Sequence, residues 1–158
     1  MAMHTWFECK IRYEKVMENG MQKKVTEPYL VDALSFTEAE ARIIEEMTPF
    51  ISGEFTVSDI KRANYSELFP SDEESADRWF KCKLIFITLD EKSGAEKKTS
   101  TQVLVQAADL RDAVKKLDEG MKGTMADYQI GMVSETPLMD VYPYSAEPND
   151  KPEFDPSK

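Results

Sequence analysis

The chain has 158 residues, 41% of them hydrophobic, and a formal net charge of −10 at neutral pH. This length suits one ordinary domain or two small halves that share a core. An acidic chain repels phosphate backbones on average, which argues against a broad nucleic-acid-coating surface but leaves room for a local basic patch.

Three further features bear on where the protein resides. The first residues lack the charged and then apolar pattern of a signal peptide. The longest strongly apolar run, Leu84 to Leu89, is far shorter than the roughly 20 residues that cross a bilayer. Two cysteines do not make a disulfide framework. We therefore expect a cytoplasmic protein with reduced thiols and no membrane contact.

The first predicted element is a β-hairpin, which follows a leader of residues 1–5 that carries the only histidine, His4. Alternate residues of its first strand point to opposite faces, with Phe7, Cys9, Ile11 and Tyr13 on one face and Glu8, Lys10, Arg12 and Glu14 on the other. Asn19-Gly20 favours a tight turn, and a second strand returns from about Met21 to Ala33. Pro28 has no N–H to donate, so its position indicates an edge strand or a bulge.

An amphipathic helix is predicted next. Ser35 and Glu38 have the spacing of a capping box, in which each side chain accepts a hydrogen bond from a free backbone N–H at the helix start. The apolar residues behind them recur at helical spacing, at Phe36, Ala39, Ile43 and Met47. Thr48-Pro49 ends this helix.

Two shorter strands complete the first half. Phe55, Val57 and Ile60 mark a third strand, and a change of phase near Ser58 indicates a bulge. Residues 65–69 add a short fourth strand, which Pro70 ends.

The second half of the chain repeats the first. Both tryptophans and both cysteines fall in the pentapeptides 6–10 and 79–83, each of which reads Trp-Phe-x-Cys-Lys. The later matches are Leu84 and Phe86 with Ile11 and Tyr13, Ser93-Gly94 with Asn19-Gly20, Asp109 and Asp112 with Ser35 and Glu38, Leu117 with Ile43, and Val141-Tyr142-Pro143 with Leu68-Phe69-Pro70. Insertions are confined to loops, which indicates a tandem duplication.

The duplication predicts the domain organisation and the fold. The segments are the leader 1–5, a β-β-α-β repeat at 6–70, an acidic solvated linker at 71–78, a second repeat at 79–144 and an acidic, proline-rich tail at 145–158 that we expect to be disordered. We expect an α+β fold with a mainly antiparallel sheet, or two abutting sheets, two helices on one face and a pseudo-twofold axis between the copies.

The copies differ on the sheet face that points away from the helices. The first copy carries charged residues there, whereas the second carries an apolar set, namely Ile85, Ile87, Leu89 and, on the neighbouring strand, Leu104. An apolar patch of this kind is usually covered. The cover is the segment near Tyr142 and Tyr144, the tail or another protein molecule. These four residues are the candidate partner face.

The residues of catalytic chemistry are sparse. Cys9 and Cys82 occupy equivalent inward positions and are interpreted as small buried hydrophobes, while the sequence leaves open whether the two meet in space. Two cysteines and one histidine do not make a metal site. No nucleophile–base pair or phosphate-binding loop is recognisable, so we expect no cofactor and no enzymatic activity.

An alternative site would bind single-stranded nucleic acid. Aromatic rings interleaved with lysines on a sheet can stack on bases and neutralise phosphates. The candidate contacts are Trp6, Trp79, Lys10, Arg12, Lys23, Lys24, Lys81, Lys83, Lys97 and Lys98. Tryptophan at a strand start is also common as a lid on a core, and lysines near a hairpin commonly guard strand edges.

Residues 6–13, Trp-Phe-Glu-Cys-Lys-Ile-Arg-Tyr, and residues 25–33, Val-Thr-Glu-Pro-Tyr-Leu-Val-Asp-Ala, resemble an uncharacterised family of unknown function found in Bacteroidetes and their phages. The resemblance runs from Trp6 to about Tyr144 and implies no activity. Its phage and mobile-element setting favours an accessory protein that acts on nucleic acid or on a host protein.

Three functional hypotheses follow. The first is a non-enzymatic binding protein that acts through protein–protein contact, with a foreign partner or with another copy of itself. The second is a single-stranded nucleic-acid-binding protein. The third is an unrecognised enzyme, which would need clustered carboxylates in a concave site.

Overall fold

The computed structural model describes residues 5–124 and 127–143, which fold into two compact units. The elements are β1 (Trp6–Val16), β2 (Gln22–Asp32), α1 (Phe36–Met47), β3 (Phe55–Ala63), β4 (Glu67–Phe69), β5 (Arg78–Leu89), β6 (Glu96–Ala107), α2 (Leu110–Gly120), β7 (Asp127–Glu135) and β8 (Asp140–Tyr142). Among the described residues, the first unit comprises 5–63 and 138–143, and the second comprises 64–124 and 127–137. His4 and the predicted tail lie outside the described residues.

The first unit is a four-stranded sheet with one helix. Its strands follow the order β3-β1-β2-β8, in which β1 pairs antiparallel with β2 and β3 while β8 pairs parallel with β2. Phe7, Cys9 and Ile11 pack with Ile43 and Met47 of α1 in the core of this unit. The period-two strand and the amphipathic helix predicted from the sequence are therefore confirmed.

The second unit has the same construction. Its strands follow the order β4-β6-β5-β7, and Phe80, Cys82 and Leu84 of β5 pack with Ala113 and Leu117 of α2. The α+β class is confirmed. The structure has two separate sheets, and one helix packs against each of them.

Both helices begin at the predicted caps. The Ser35 hydroxyl accepts a hydrogen bond from the Glu38 N–H at 3.1 Å, and the Asp109 carboxylate accepts one from the Asp112 N–H at 2.8 Å. The Asp112 carboxylate reaches back to the Ala108 N–H at 3.0 Å, which completes a reciprocal box. Each box satisfies backbone donors that the first helical turn leaves free.

The registers of the two sheets support the duplication. Trp6 lies opposite Asp32 in the first unit, and Trp79 lies opposite Gln106 in the second. The pairing of β1 with β3 shifts by one residue after Lys10, and the pairing of β5 with β7 shifts at the equivalent place, after Lys83. A shared register with a shared bulge indicates one structural plan used twice.

The short fourth strands are exchanged between the repeats. β4 belongs to the first repeat of the sequence but pairs parallel with β6 in the second unit. β8 belongs to the second repeat but pairs parallel with β2 in the first unit. The repeats predicted from the sequence therefore differ from the compact units, because each repeat contributes its last strand to the other sheet.

Side chains hold each exchanged strand in place. The Phe69 ring of β4 lies so close to Gly120 of α2 that a Cβ atom at position 120 would come within 2.8 Å of it. In the first unit, the Tyr142 ring of β8 stacks on the Tyr29 ring at a centroid distance of 6.1 Å. Phe69 and Tyr142 occupy equivalent positions, opposite Val105 and Val31.

The segment that was predicted to be a solvated linker is packed on the second unit. The Ser71 N–H donates to the Gln106 side-chain oxygen at 2.9 Å, and the Lys116 ammonium contacts both Ser71 and Glu73. Ala76 is buried, with 3% of its surface exposed. The acidic composition of this segment indicated solvation because sequence alone does not reveal the long-range contact with Lys116.

β2 is an interior strand of its sheet, and Pro28 lies just before the three residues that pair with β8. The Pro28 carbonyl accepts a hydrogen bond from the Met139 N–H at 2.9 Å, so its backbone polar groups face away from β1. The missing N–H therefore costs no bond between β1 and β2. Pro28 therefore lies where no strand pairs with the outer side of β2, immediately before the three residues that pair with β8, which agrees with the expected edge position.

Replacing Phe69 with alanine should destabilise the second unit by about 2 kcal/mol, less than the roughly 3–5 kcal/mol typical of a fully buried phenylalanine, because the ring is half-buried. Hydrogen exchange followed by mass spectrometry should show faster exchange in β6 and little change in β2. The matched control, Tyr142→Ala, should give the opposite pattern. Loss of protection in β1–β3 in response to Phe69→Ala would contradict the strand exchange.

Candidate interaction face

The helix-free side of the second sheet carries a mixed surface that we name the apolar–basic face. Alternation along β5 places Phe80, Cys82 and Leu84 in the core beside α2 and the intervening residues on the other side. The face consists of Lys81, Lys83, Ile85, Ile87 and Leu89 of β5 together with Met132 of β7, which lies opposite Lys83.

The exposure of these residues varies along the strand. Leu89 is 68% exposed and Met132 is 42% exposed, whereas Ile85 and Ile87 are half-buried. Ile85 lies over Gly131 of β7, where an added Cβ atom would come within 2.9 Å of the isoleucine Cδ1. Leu104 is completely buried, so it is not part of an exposed partner face as the sequence had suggested.

The equivalent face of the first sheet carries opposite charges in register. Glu8 lies opposite Lys61, and Lys10 lies opposite Asp59. Cross-strand neighbours of opposite charge stabilise a solvated sheet face. This surface needs no covering partner.

At the same positions the second sheet has lost its carboxylates. Lys81 lies opposite Ser134 and Lys83 lies opposite Met132 on β7, while Gln102 of β6 faces Lys83 on the other side. Met132 therefore stands where Asp59 stands in the first sheet, and Lys81 where Glu8 stands. No ion pair or side-chain hydrogen bond within residues 5–124 and 127–143 involves Lys81 or Lys83. Their positive charges are uncompensated within the described structure.

The proposed nucleic-acid contacts do not form a stacking platform. Trp6 and Trp79 are 2% and 5% exposed, so neither indole ring is available to a base in this conformation. Lys23 and Lys24 are adjacent in one strand and so point to opposite faces, as Lys97 and Lys98 also do. Among the remaining candidates, Lys10 and Lys81 are half-buried, and Arg12 and Lys83 are exposed.

Both cysteines are free thiols without exposed surface. Desolvation raises the pKa of the Cys9 thiol to about 12, with smaller contributions from Glu8 and Asp59, and it raises the pKa of Cys82 to about 11. A protonated, enclosed thiol is a poor nucleophile and a poor metal ligand. Within the described residues, no group of three or more histidine, cysteine, aspartate or glutamate side chains is placed to hold a metal ion.

A tyrosine–carboxylate cluster in the first unit was not predicted from the sequence. The Tyr13 and Tyr29 hydroxyls both donate to Glu27 Oε1, at 3.0 and 3.2 Å, and the Lys15 ammonium lies 3.8 Å from Oε2. Burial and the Glu27 carboxylate raise the pKa of both phenols, so at neutral pH they remain hydrogen-bond donors. The cluster satisfies a half-buried carboxylate.

A comparison of the repeats gives the signal that could have revealed this cluster. The second unit has Phe86, Thr101 and Val103 at the positions of Tyr13, Glu27 and Tyr29, as the strand registers show. The second unit therefore lacks both phenolic hydroxyls and the carboxylate of this cluster. Such a joint difference indicates that these residues interact.

A cavity in the second unit contains a lysine that already has carboxylate partners. A cavity of about 510 Å³ in the second unit is lined by Phe69, Ser71, Glu73 and Lys116 among others. The Lys116 ammonium lies 2.9 Å from the carboxylates of both Glu73 and Asp112. This lysine therefore ties the segment after β4 to α2.

The fold and the face together define a duplicated α+β protein in which one sheet carries opposite charges in register and the other carries an apolar–basic surface. Residues 5–144 match the family described as Domain of unknown function (DUF4494), and the chain belongs to this family. Neither the curated proteins nor the solved structures contain a significant match to the chain. No helix in the described part of the chain is long and apolar enough to span a membrane.

Both thiols should resist modification in the native protein and react once it unfolds. At about pH 8, Ellman's reagent should label neither cysteine until urea is added, because each thiol is enclosed and protonated. The folded pKa values lie above the unfolded value of about 8.5, so the neutral thiols contribute stability that is complete below that pH and declines as the pH rises toward 11. Rapid labelling without urea would contradict the burial of these residues.

Tryptophan fluorescence should report two enclosed indoles. The native emission should be blue-shifted and weakly quenched by acrylamide, and unfolding should restore both the red emission and the quenching. Addition of oligothymidine at low salt should leave the emission unchanged. Strong quenching by the oligonucleotide would instead indicate that the protein binds single-stranded nucleic acid.

Proposed function

We propose that this protein is a non-enzymatic binding module that acts through protein–protein contact at the apolar–basic face. The observation that carries this proposal is the difference between the repeats. Equivalent positions hold cross-strand neighbours of opposite charge in the first sheet, at Lys10 and Asp59, and a lysine beside an exposed methionine in the second, at Lys83 and Met132.

The energetics favour a partner that covers the aliphatic part of the face. Fully burying an isoleucine or leucine side chain contributes roughly 1.5–3 kcal/mol. Leu89 is 68% exposed, so most of that contribution is still unrealised for it in the free protein, and the 42% exposed Met132 leaves a smaller part unrealised. The half-buried Ile85 and Ile87 offer a smaller part. A contact centred on these residues has the apolar core and polar rim that protein interfaces have.

The arrangement of the tryptophans favours a protein over a nucleic acid. Single-stranded nucleic acids bind by stacking on exposed aromatic rings, and the six residues of the face include no aromatic side chain. The resemblance to a family of Bacteroidetes and their phages supports an accessory role in that setting. We place this role in the cytoplasm.

Replacing the isoleucines of the face with acidic residues should weaken binding. We expect the Ile85→Glu, Ile87→Glu variant to capture partners from cells of the source at least tenfold less than the unaltered protein does, since introduced carboxylates oppose apolar burial. Quantitative mass spectrometry of the captured proteins measures the difference.

The matched control is Arg12→Glu, because Arg12 occupies in the first sheet the position of Ile85 in the second. This variant should capture the same proteins as the unaltered chain, and circular dichroism should show that all three chains are folded. Equal loss of capture in both variants, or no loss in either, would overturn the assignment of binding to this face.

A further inference from the structure

The charge of the apolar–basic face points to the chemistry of its partner. We infer that the face binds an acidic protein segment, which presents carboxylates to Lys81 and Lys83 and aliphatic side chains to Ile85, Ile87 and Leu89. This inference rests on the proposed function and adds the class of partner to it.

The first step of the argument is desolvation. Lys81 is half-buried before any partner arrives, and neither it nor Lys83 has a carboxylate partner among the described residues. A protein that covers this surface removes water from both ammonium groups, which is costly unless a carboxylate replaces that water. Neutral and basic partners are therefore disfavoured, and acidic ones are selected.

The second step is spacing. Alternate residues of a strand lie about 7 Å apart, so the face from Lys81 to Leu89 presents two positive groups and then three aliphatic groups at regular intervals. An extended segment has the same repeat. Two acidic residues at alternate positions, followed by aliphatic residues at alternate positions, would match the face along its length.

The third step distinguishes a protein segment from a polyphosphate as the ligand of the face. Phosphate backbones carry a regular series of charges and need a continuous basic track. At its aliphatic end the face has neighbours of both charges, since Asp127 and Lys98 lie on either side of Ile87 and Glu96 lies opposite Leu89. The two carboxylates interrupt the continuous basic track that a phosphate backbone needs, at the end where an aliphatic protein segment makes its apolar contacts.

The helix-free face of the first sheet in a second copy of this chain fits less well. Its carboxylates Glu8 and Asp59 lie opposite Lys61 and Lys10. A second copy would therefore bring these lysines toward Lys81 and Lys83 together with the carboxylates, and the like charges would repel.

Selection from a random peptide display library tests the inference without assuming a partner. The immobilised full-length protein selects peptides long enough to span the face in an extended conformation, and the Ile85→Glu, Ile87→Glu variant removes those that bind elsewhere. We expect enrichment of aspartate or glutamate at two alternate positions followed by isoleucine, leucine or valine at alternate positions.

The affinity of a selected, fluorescently labelled peptide is then measured by anisotropy. It should fall at least tenfold in the Lys81→Glu, Lys83→Glu variant and weaken as salt is added. It should be unchanged in Lys10→Glu, because Lys10 occupies in the first sheet the position of Lys83 in the second. Circular dichroism of each variant verifies that it is folded.

The other outcomes are distinguishable. Face-dependent peptides without acidic enrichment would overturn the acidic partner and leave the proposed function standing. A library that yields no peptide sensitive to Ile85→Glu, Ile87→Glu would overturn both. Oligothymidine binding that is lost in the Lys81→Glu, Lys83→Glu variant would identify a nucleic acid as the occupant, and a concentration-dependent dimer that the same variant disrupts would identify a second copy. Either result would overturn the inference.

Discussion

The parallel pairing of each repeat's last strand with the other repeat's sheet is the constraint on which the rest of this structure depends. A β-β-α-β unit of about 65 residues buries little surface alone. Here β4 extends the sheet of the second unit and β8 extends that of the first, so neither sheet is complete without residues from the other repeat. The duplication is therefore held together by the path of the backbone as well as by side-chain packing.

This mutual dependence leaves other surfaces of the two copies free to diverge. The cores beside the helices keep the same pattern: Cys9 and Ile11 in the first unit correspond to Cys82 and Leu84 in the second. On the helix-free face, the oppositely charged neighbours Lys10 and Asp59 of the first sheet correspond to Lys83 and Met132 in the second. The first unit has opposite charges at these positions. A comparison of the two units therefore shows which residues of the second sheet differ.

Much of the local structure could be predicted from the sequence, because it depends on short-range periodicity. The strands of both hairpins, the caps at Ser35 and Asp109 and the bulge near Ser58 all follow from residues close together in the chain. The short strand at 65–69 was also predicted, but its partner was not. A strand of three residues is too short to carry a pattern that specifies what it pairs with.

Burial on the helix-free side could not be predicted either, because it depends on contacts between residues that are distant in sequence. Alternation shows that Trp6 and Leu104 point away from the helices, but it does not show whether water reaches them. Both are buried, whereas Leu89, which has the same apolar character, is exposed. The candidate site was therefore predicted correctly in the direction that its side chains face and incorrectly in the extent of its exposure.

The exchange of strands also has a consequence for synthesis on the ribosome. The second unit is continuous in sequence from Asn64 to Pro137. The first unit is made of two segments on either side of it, and its sheet is completed only when β8 has been synthesised. At ordinary rates of translation, β2 is made on the order of ten seconds before its parallel neighbour exists. During that interval, one edge of β2 is open to other nascent chains. Pro28, which cannot donate a hydrogen bond, and the exposed Lys23 and Lys24 lie on this strand, and both kinds of residue disfavour pairing at an open strand edge.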